Sequence, residues 1–239
     1  MPEEDALLAR VRKLLAKAED PAVTEAEAEA YNTKAAELIA RYGIDQAMLA
    51  ARAEFADEVT SMRIDVENPY SRDKAQLVTC IAEPLRCRTV LARASQRVHW
   101  VTVFGFRSDL LRIELLFTSL LLQAGTQLGR ASGGGTAQSV AAYRRSWLQG
   151  FALAVFHRLK GAEEKAVAEH DGGSGSAELV LRDRKAVVEA AYQEEFGALR
   201  MARRRRLTGS GFSDGRAAGE RADLGTTGVT GKRGGLLNR

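Results

Sequence analysis

The first 45 residues show two successive patterns of apolar positions at helical spacing. The first pattern runs from Leu7 to Ala18 and ends at Asp20-Pro21, because the residue before a proline is pushed out of helical geometry. The second begins at Thr24 and Glu27, which have the spacing of a capping box. It continues to Tyr42, and we expect Gly43 to end the helix in a left-handed conformation. The pattern therefore predicts a helical hairpin, which we assign to an N-terminal module of residues 1–55.

Shorter patterns follow and predict a small sheet. We expect a strand over Val59 to Val66, a helix over Arg72 to Glu83, and a hairpin of two strands over Thr89 to Ala94 and Arg97 to Phe106. Apolar residues then cover nearly all sides of a long helix from Arg107 to Arg130, capped by Ser108. A helix with this pattern is buried, so we place it at the centre of the fold.

The C-terminal half is predicted as helices separated by glycine-rich segments. We expect a helix over Ala137 to Lys160, a short strand over Glu178 to Leu181, a helix over Asp183 to Phe196, and a last helix starting near Ser213. Three glycines spaced by four, Gly211, Gly215 and Gly219, predict a smooth helix face for close backbone packing. The predicted class is α+β, mostly helical, with a small antiparallel sheet on the long helix, in a domain of residues 56–224 followed by a disordered tail over 225–239.

The segment of residues 6–45 carries a dense series of short motifs: Val11-Arg12-Lys13-Leu14-Leu15-Ala16, Ala18-Glu19, Thr24-Glu25-Ala26-Glu27-Ala28, Lys34-Ala35, Glu37-Leu38 and Arg41-Tyr42-Gly43-Ile44. It resembles the bacterial and phage family called domain of unknown function 2786. The later chain is similar to the segment that often follows in such proteins, at Cys87-Arg88, Gly105, Ser108-Asp109, Leu116-Phe117, Ser146 to Phe151, Arg158-Leu159, Gly215 and Gly219. The family has no established activity, so the resemblance implies a fold and a cytoplasmic setting but no reaction, and no catalytic residue is carried over.

Charge is unevenly distributed along the 239 residues, although the net charge is only +4. Residues 1–70 hold 8 Lys/Arg and 15 Asp/Glu, whereas residues 71–170 hold 14 Lys/Arg and 7 Asp/Glu. The segment 199–239 holds 10 basic and 3 acidic residues. Clustered cations favour a polyanionic partner, because binding releases counterions condensed on a phosphate backbone. The alternative is that the acidic N-terminal part packs on the basic remainder, within one chain or between two copies.

Four adjacent arginines are the strongest chemical signal, because their mutual repulsion is relieved when a polyanion neutralises them. The predicted nucleic-acid-binding residues are Arg144, Arg145, Arg200, Arg203, Arg204, Arg205, Arg206 and Arg216. Two other roles remain open for the four arginines: they could form a solvated face, or they could form salt bridges with the glutamate-rich second helix. Stacking aromatics near it are few, only Tyr192, Phe196 and Phe212, which disfavours a dedicated single-strand platform.

Enzyme motifs are weak in this chain. Gly211-Phe212-Ser213-Asp214-Gly215 matches a nucleophile elbow literally, but no strand precedes it and no histidine follows it. Cys80 and Cys87 are seven apart with no paired Cys or His at zinc spacing, and are expected to be buried small hydrophobes. We therefore predict no metal, no cofactor and no catalytic residue. The motifs favour a protein that is not an enzyme over one that is. Two cysteines, an acidic N-terminus and no long apolar stretch favour a cytoplasmic protein without a membrane segment.

These observations predict a protein that binds nucleic acid largely without regard to sequence and without catalysis. The alternative is an adaptor or self-assembling module, in which the acidic hairpin docks another protein or a second copy. A third hypothesis is an enzyme of unrecognised type, with His99, Cys87 or Asp109 lining a pocket.

Overall fold

The computed structural model describes residues 57–94, 97–130, 140–171, 176–197 and 208–222, and the separate positions 13, 17, 27, 38, 42–43, 46–48, 50–51, 199 and 224. In chain order the elements are β1 (Val59–Asp65), α1 (Ser71–Ala82), β2 (Arg88–Ala94), β3 (Arg97–Phe106), α2 (Arg107–Arg130), α3 (Val140–Asp171), α4 (Ser176–Phe196) and α5 (Phe212–Arg221). The fold is mostly helical with one small antiparallel sheet, so the predicted class is confirmed.

The sheet has three strands in the order β1, β3, β2, and both pairs are antiparallel. Its centre is β3, whose Val101 and Val103 are fully buried. The predicted hairpin of β2 and β3 is confirmed, with an irregularity in register between Ala92 and Arg93.

One face of the sheet packs on α1 and α2, and α3 packs on α1. Ile81 of α1, Ile113 of α2 and Phe151 of α3 are fully buried members of this main core. The helix α2 has the predicted bounds. Its apolar residues lie on nearly all sides, and such a helix is stable only when other elements surround it.

The other face of the sheet is covered by α4. The ring of Phe104 on β3 lies edge-on to Tyr192 at 6.3 Å and to Phe196 at 5.2 Å between ring centroids. The guanidinium of Arg184 lies 3.6 Å from the ring centroid of Phe106. Two of the aromatic residues near the arginine run thus serve packing within the fold.

The helices α3 and α5 lie side by side and run in the same direction, with backbone against backbone. A Cβ atom added at Gly211 would meet the carbonyl of Tyr143, one at Gly215 would overlap Trp147, and one at Gly219 would crowd Phe151. On the facing helix, a Cβ at Gly150 would overlap the carbonyl of Phe212. The predicted smooth glycine face is confirmed, because the helices approach to a distance that no side chain permits.

Several predicted boundaries were wrong. The segment Glu178 to Leu181 is helical, as part of α4, and α3 continues past Lys160 to Asp171. A glycine at position 161 lowers helix stability without ending a helix that is supported by packing on both sides of it.

Two predicted caps were also wrong. Gly43 is helical and has no positive φ, and Ser108 lies inside α2, which begins at Arg107. Most of the predicted hairpin, Arg200, the run Arg203 to Arg206 and the tail 225–239 lie outside the described residues. The domain boundary at residues 55 and 56 stays a prediction.

Candidate functional site

Three of the predicted arginines lie on the α3 and α5 pair. Arg145 is exposed on α3, and Arg144 is half-buried beside it. Neither forms an ion pair with a carboxylate of the described residues, and the buried Nε of Arg144 has no hydrogen-bond partner among them. Arg216 on α5 is exposed and donates to Glu220 at 2.8 Å. An exposed pair of this kind contributes little stability, so Arg216 exchanges partners at little cost.

The distribution of charge along α3 differs between its N-terminal and C-terminal parts. From Val140 to Ala162 the helix carries four cations, Arg144, Arg145, Arg158 and Lys160, and no carboxylate. Arg158 is used within the fold, because it donates to the carbonyls of Gly219 and Ala222 and thereby fixes the C-terminal end of α5. The N-terminal part of α3, up to Ala162, therefore carries only positive formal charge and lies alongside α5.

The Tyr143 hydroxyl secures the start of the same pair by donating to Asp214 Oδ2 at 2.7 Å. Burial raises the pKa of Tyr143 to about 12, and the hydrogen bond and the charge of Asp214 act in the same direction. On the same turn of α3, Ser146 Oγ accepts a hydrogen bond from the Gly211 backbone N–H at 2.9 Å. This serine therefore has a structural role at the beginning of α5.

A second feature, which sequence reasoning missed, is a buried charge cluster at the start of α2. We use this name for six residues with no net charge: Asp57, Arg86, Asp109, Arg112, Glu163 and Arg184. Arg112 is 1% exposed and donates to Asp109 at 2.9 Å and to Glu163. Glu163 also accepts from Arg86 at 2.9 Å. Every carboxylate of the cluster is therefore paired with a guanidinium, as charges this deep require.

Arg112 shows how strongly the cluster balances its charges. Burial lowers the pKa of Arg112, but the charges of Glu163 and Asp109 and their hydrogen bonds outweigh burial, so the pKa lies above its usual value. The guanidinium therefore stays charged inside the protein.

The N-terminal end of α2 is occupied by a carboxylate of the chain itself. Asp57 accepts from the Ser108 backbone N–H at 3.3 Å and from Ser108 Oγ at 2.7 Å. Arg184 donates to the same carboxylate at 2.6 Å. Asp57 therefore takes the position at the helix N-terminus where an external anion would otherwise bind.

The cluster also touches the N-terminal segment. A Cβ atom at Gly43 would overlap the guanidinium of Arg112, so the backbone at Gly43 lies directly on this side chain. Leu38 packs against the main core, and Ala47 packs with Ala177 and Leu181 of α4. This contact, and not a left-handed turn, explains the glycine at position 43.

The residues of the enzyme hypothesis are only partly brought together. Cys87 is 7% exposed and lies near Asp109, whereas His99 is exposed on β3. Burial raises the pKa of Cys87 well above its usual range, Asp109 adds to the effect, and the arginines of the cluster oppose it. A thiol held protonated is a poor nucleophile. Both cysteines are buried, as predicted.

The described residues offer neither a metal site nor a membrane-spanning helix. They contain no group of three or more His, Cys, Asp and Glu side chains arranged to hold a metal ion. Within the same part of the chain, no helix combines the length and apolar character needed to cross a membrane.

Comparison with known proteins gives one match, at the N-terminus. No curated protein and no solved structure matches the chain significantly. The likeness of the later chain to the segment that follows in such proteins stays a prediction. The predicted N-terminal resemblance is confirmed, because residues 6–46 match the model of the family described as "Protein of unknown function (DUF2786)".

Proposed function

We propose that this protein binds nucleic acid, largely without regard to sequence, through the cations of the α3 and α5 pair and of the arginine run. The observation that supports it best is the N-terminal half of α3, where two arginines without an acidic partner among the described residues lie on a stretch of helix free of carboxylates. Such cations repel each other, and a phosphate backbone relieves this repulsion while releasing counterions.

The arginine run adjoins this surface in the sequence. It ends at Arg206, two residues before Thr208, and a Cβ at the next residue, Gly209, would overlap the backbone of Ala142 in the first turn of α3. Two peptide units span at most about 7 Å, so the chain connects the last residue of the run closely to Thr208. Eight positive side chains without a base-reading motif favour contacts to phosphates over readout of bases.

The test is binding of fluorescent duplex DNA across a salt series, with nuclease-treated protein. We compare wild type with the double variant Arg144→Gln/Arg145→Gln and with the matched control Arg182→Gln/Lys185→Gln, which removes two exposed cations from α4. Each lost phosphate contact reduces the slope of log K against log salt by about 0.9, so we expect a reduction of about two for the first variant and none for the control.

The arginine run is tested in the same assay by changing Arg203 to Arg206 to alanine. We expect weaker binding and a flatter salt dependence. Absence of binding by wild type at low salt contradicts the proposal and favours the adaptor hypothesis, which a concentration-dependent mass in solution would then support.

A further inference from the structure

Phe212 is the exposed aromatic residue of the α3 and α5 pair. Its side chain stands at the first position of α5 and the residue is 37% exposed, whereas every other Phe, Tyr and Trp of the described residues is buried or half-buried. Tyr192 and Phe196, which the sequence offers as stacking residues, are used by Phe104 on the sheet. One exposed ring, not a platform, is therefore left among the described residues.

The surroundings of Phe212 include an apolar side chain and a guanidinium, although α5 also carries Asp214 and Glu220. Its backbone carbonyl lies on Gly150, which has no side chain to cover the ring, and Leu153, one turn further along α3, is 40% exposed. Arg216 follows Phe212 by one turn of α5, on the same side of the helix. A ring can stack on a base while a guanidinium one turn away contacts the adjacent phosphate, so this arrangement suits a nucleotide.

Charge identifies the class of partner. The half of α3 that holds Gly150 has two arginines and no carboxylate, and on α5 the carboxylates of Asp214 and Glu220 are engaged by Tyr143 and Arg216. The unpaired cations therefore favour a polyanion over a positively charged partner. Among polyanions, only an unpaired strand exposes a base face to an aromatic ring, because the faces in a duplex are stacked on one another.

We propose that Phe212 stacks on one unpaired base, so that the protein prefers single-stranded nucleic acid to duplex. This inference rests on the proposed function and specifies its substrate class. One stacked base is worth about 5- to 150-fold in affinity, and the contribution does not depend on base identity, because every base has an aromatic face.

The experiment separates the base from the phosphates. We measure binding of three fluorescent ligands of equal length: oligothymidylate, the same backbone with abasic sites, and a duplex. The proteins are wild type, Phe212→Ala, Phe212→Leu, Phe212→Trp and the control Leu179→Ala, which removes an apolar side chain that is 49% exposed on α4. Thermal unfolding of each variant verifies the fold.

Wild type and Phe212→Trp are expected to bind oligothymidylate about 5-fold or more tighter than the abasic strand. Phe212→Ala and Phe212→Leu are expected to lose this difference while keeping the salt slope, because their phosphate contacts are intact, and Leu179→Ala is expected to behave as wild type. If both Phe212 variants bind every ligand as wild type does, stacking is wrong while nucleic-acid binding stands. If wild type binds no ligand at low salt, both proposals are wrong.

Discussion

The buried charge cluster and the contact of α3 with α5 join distant parts of the chain by opposite means. In the cluster, large charged side chains fill the space, and each must find its partner. Between α3 and α5, the fit depends on side chains that are missing at Gly150, Gly211, Gly215 and Gly219. The cluster is therefore sensitive to the removal of a group and the helix pair to the addition of one.

The largest effect is expected from Arg112→Met. The variant leaves Asp109 and Glu163 buried without their main partner, and breaking a buried pair in this way costs about 3–5 kcal/mol in free energy of unfolding. The control Lys160→Met breaks an exposed pair with Glu164 at 3.9 Å and should cost under about 1 kcal/mol. Urea unfolding gives the free energy of unfolding of both variants. Equal losses of stability would contradict the prediction that the buried pairs matter more than the exposed one.

An intermediate effect is expected from Gly215→Ala. The new methyl group would overlap the backbone carbonyl of Trp147, which cannot rotate away, so we expect a loss of about 1–3 kcal/mol from overpacking. The matched control is Gly161→Ala on α3, where an added Cβ meets nothing within 4 Å. It should stabilise the protein by about 0.5–1 kcal/mol, because alanine favours a helix more than glycine does. A stabilised Gly215→Ala would show that the helices have room between them.

The smallest effect is expected from Tyr143→Phe. This variant removes the hydrogen bond that the Tyr143 hydroxyl on α3 donates to Asp214 on α5. Near neutral pH we expect a loss of about 1 kcal/mol. The folded state raises the pKa of Tyr143 to about 12, so this contribution is complete below the ordinary tyrosine pKa and disappears as the pH rises to about 12.

The measurement for Tyr143 is unfolding of wild type and variant as a function of pH, with the phenolate absorbance followed in parallel. The difference in stability should be constant up to about pH 10 and then shrink. A difference that grows above this pH would contradict the assigned direction of the pKa shift.

What the sequence reveals differs between these two regions for a physical reason. Glycines spaced by four on one short helix form a local pattern, and the close packing of Gly211, Gly215 and Gly219 was predicted from it. The strand β3 and the helix α2 are equally local, since a run of β-branched residues and an all-round apolar pattern each specify their element.

Apart from the i,i+3 pair of Asp109 and Arg112, the buried charge cluster has no local pattern. Its members are separated by 51 residues between Arg112 and Glu163, and by 77 between Arg86 and Glu163. Arginine, aspartate and glutamate are residue types that normally lie at the surface, so only the three-dimensional fold reveals their burial. The strand predicted over Glu178 to Leu181 was wrong for a different reason. A run of four residues is too short to distinguish a strand from a helix by its apolar pattern.

The separation of 127 residues between Asp57 and Arg184 has a consequence for synthesis of the protein. On the ribosome, the residues of the sheet, α1 and α2 are synthesised long before Arg184 is added, and in that interval Asp57 and Asp109 lack the guanidinium of Arg184. A nascent chain that stops before α4 also leaves Phe104 and Phe106 uncovered on one face of the sheet. Final closure of the fold therefore comes late in translation, and the emerging chain exposes an apolar sheet face until α4 arrives.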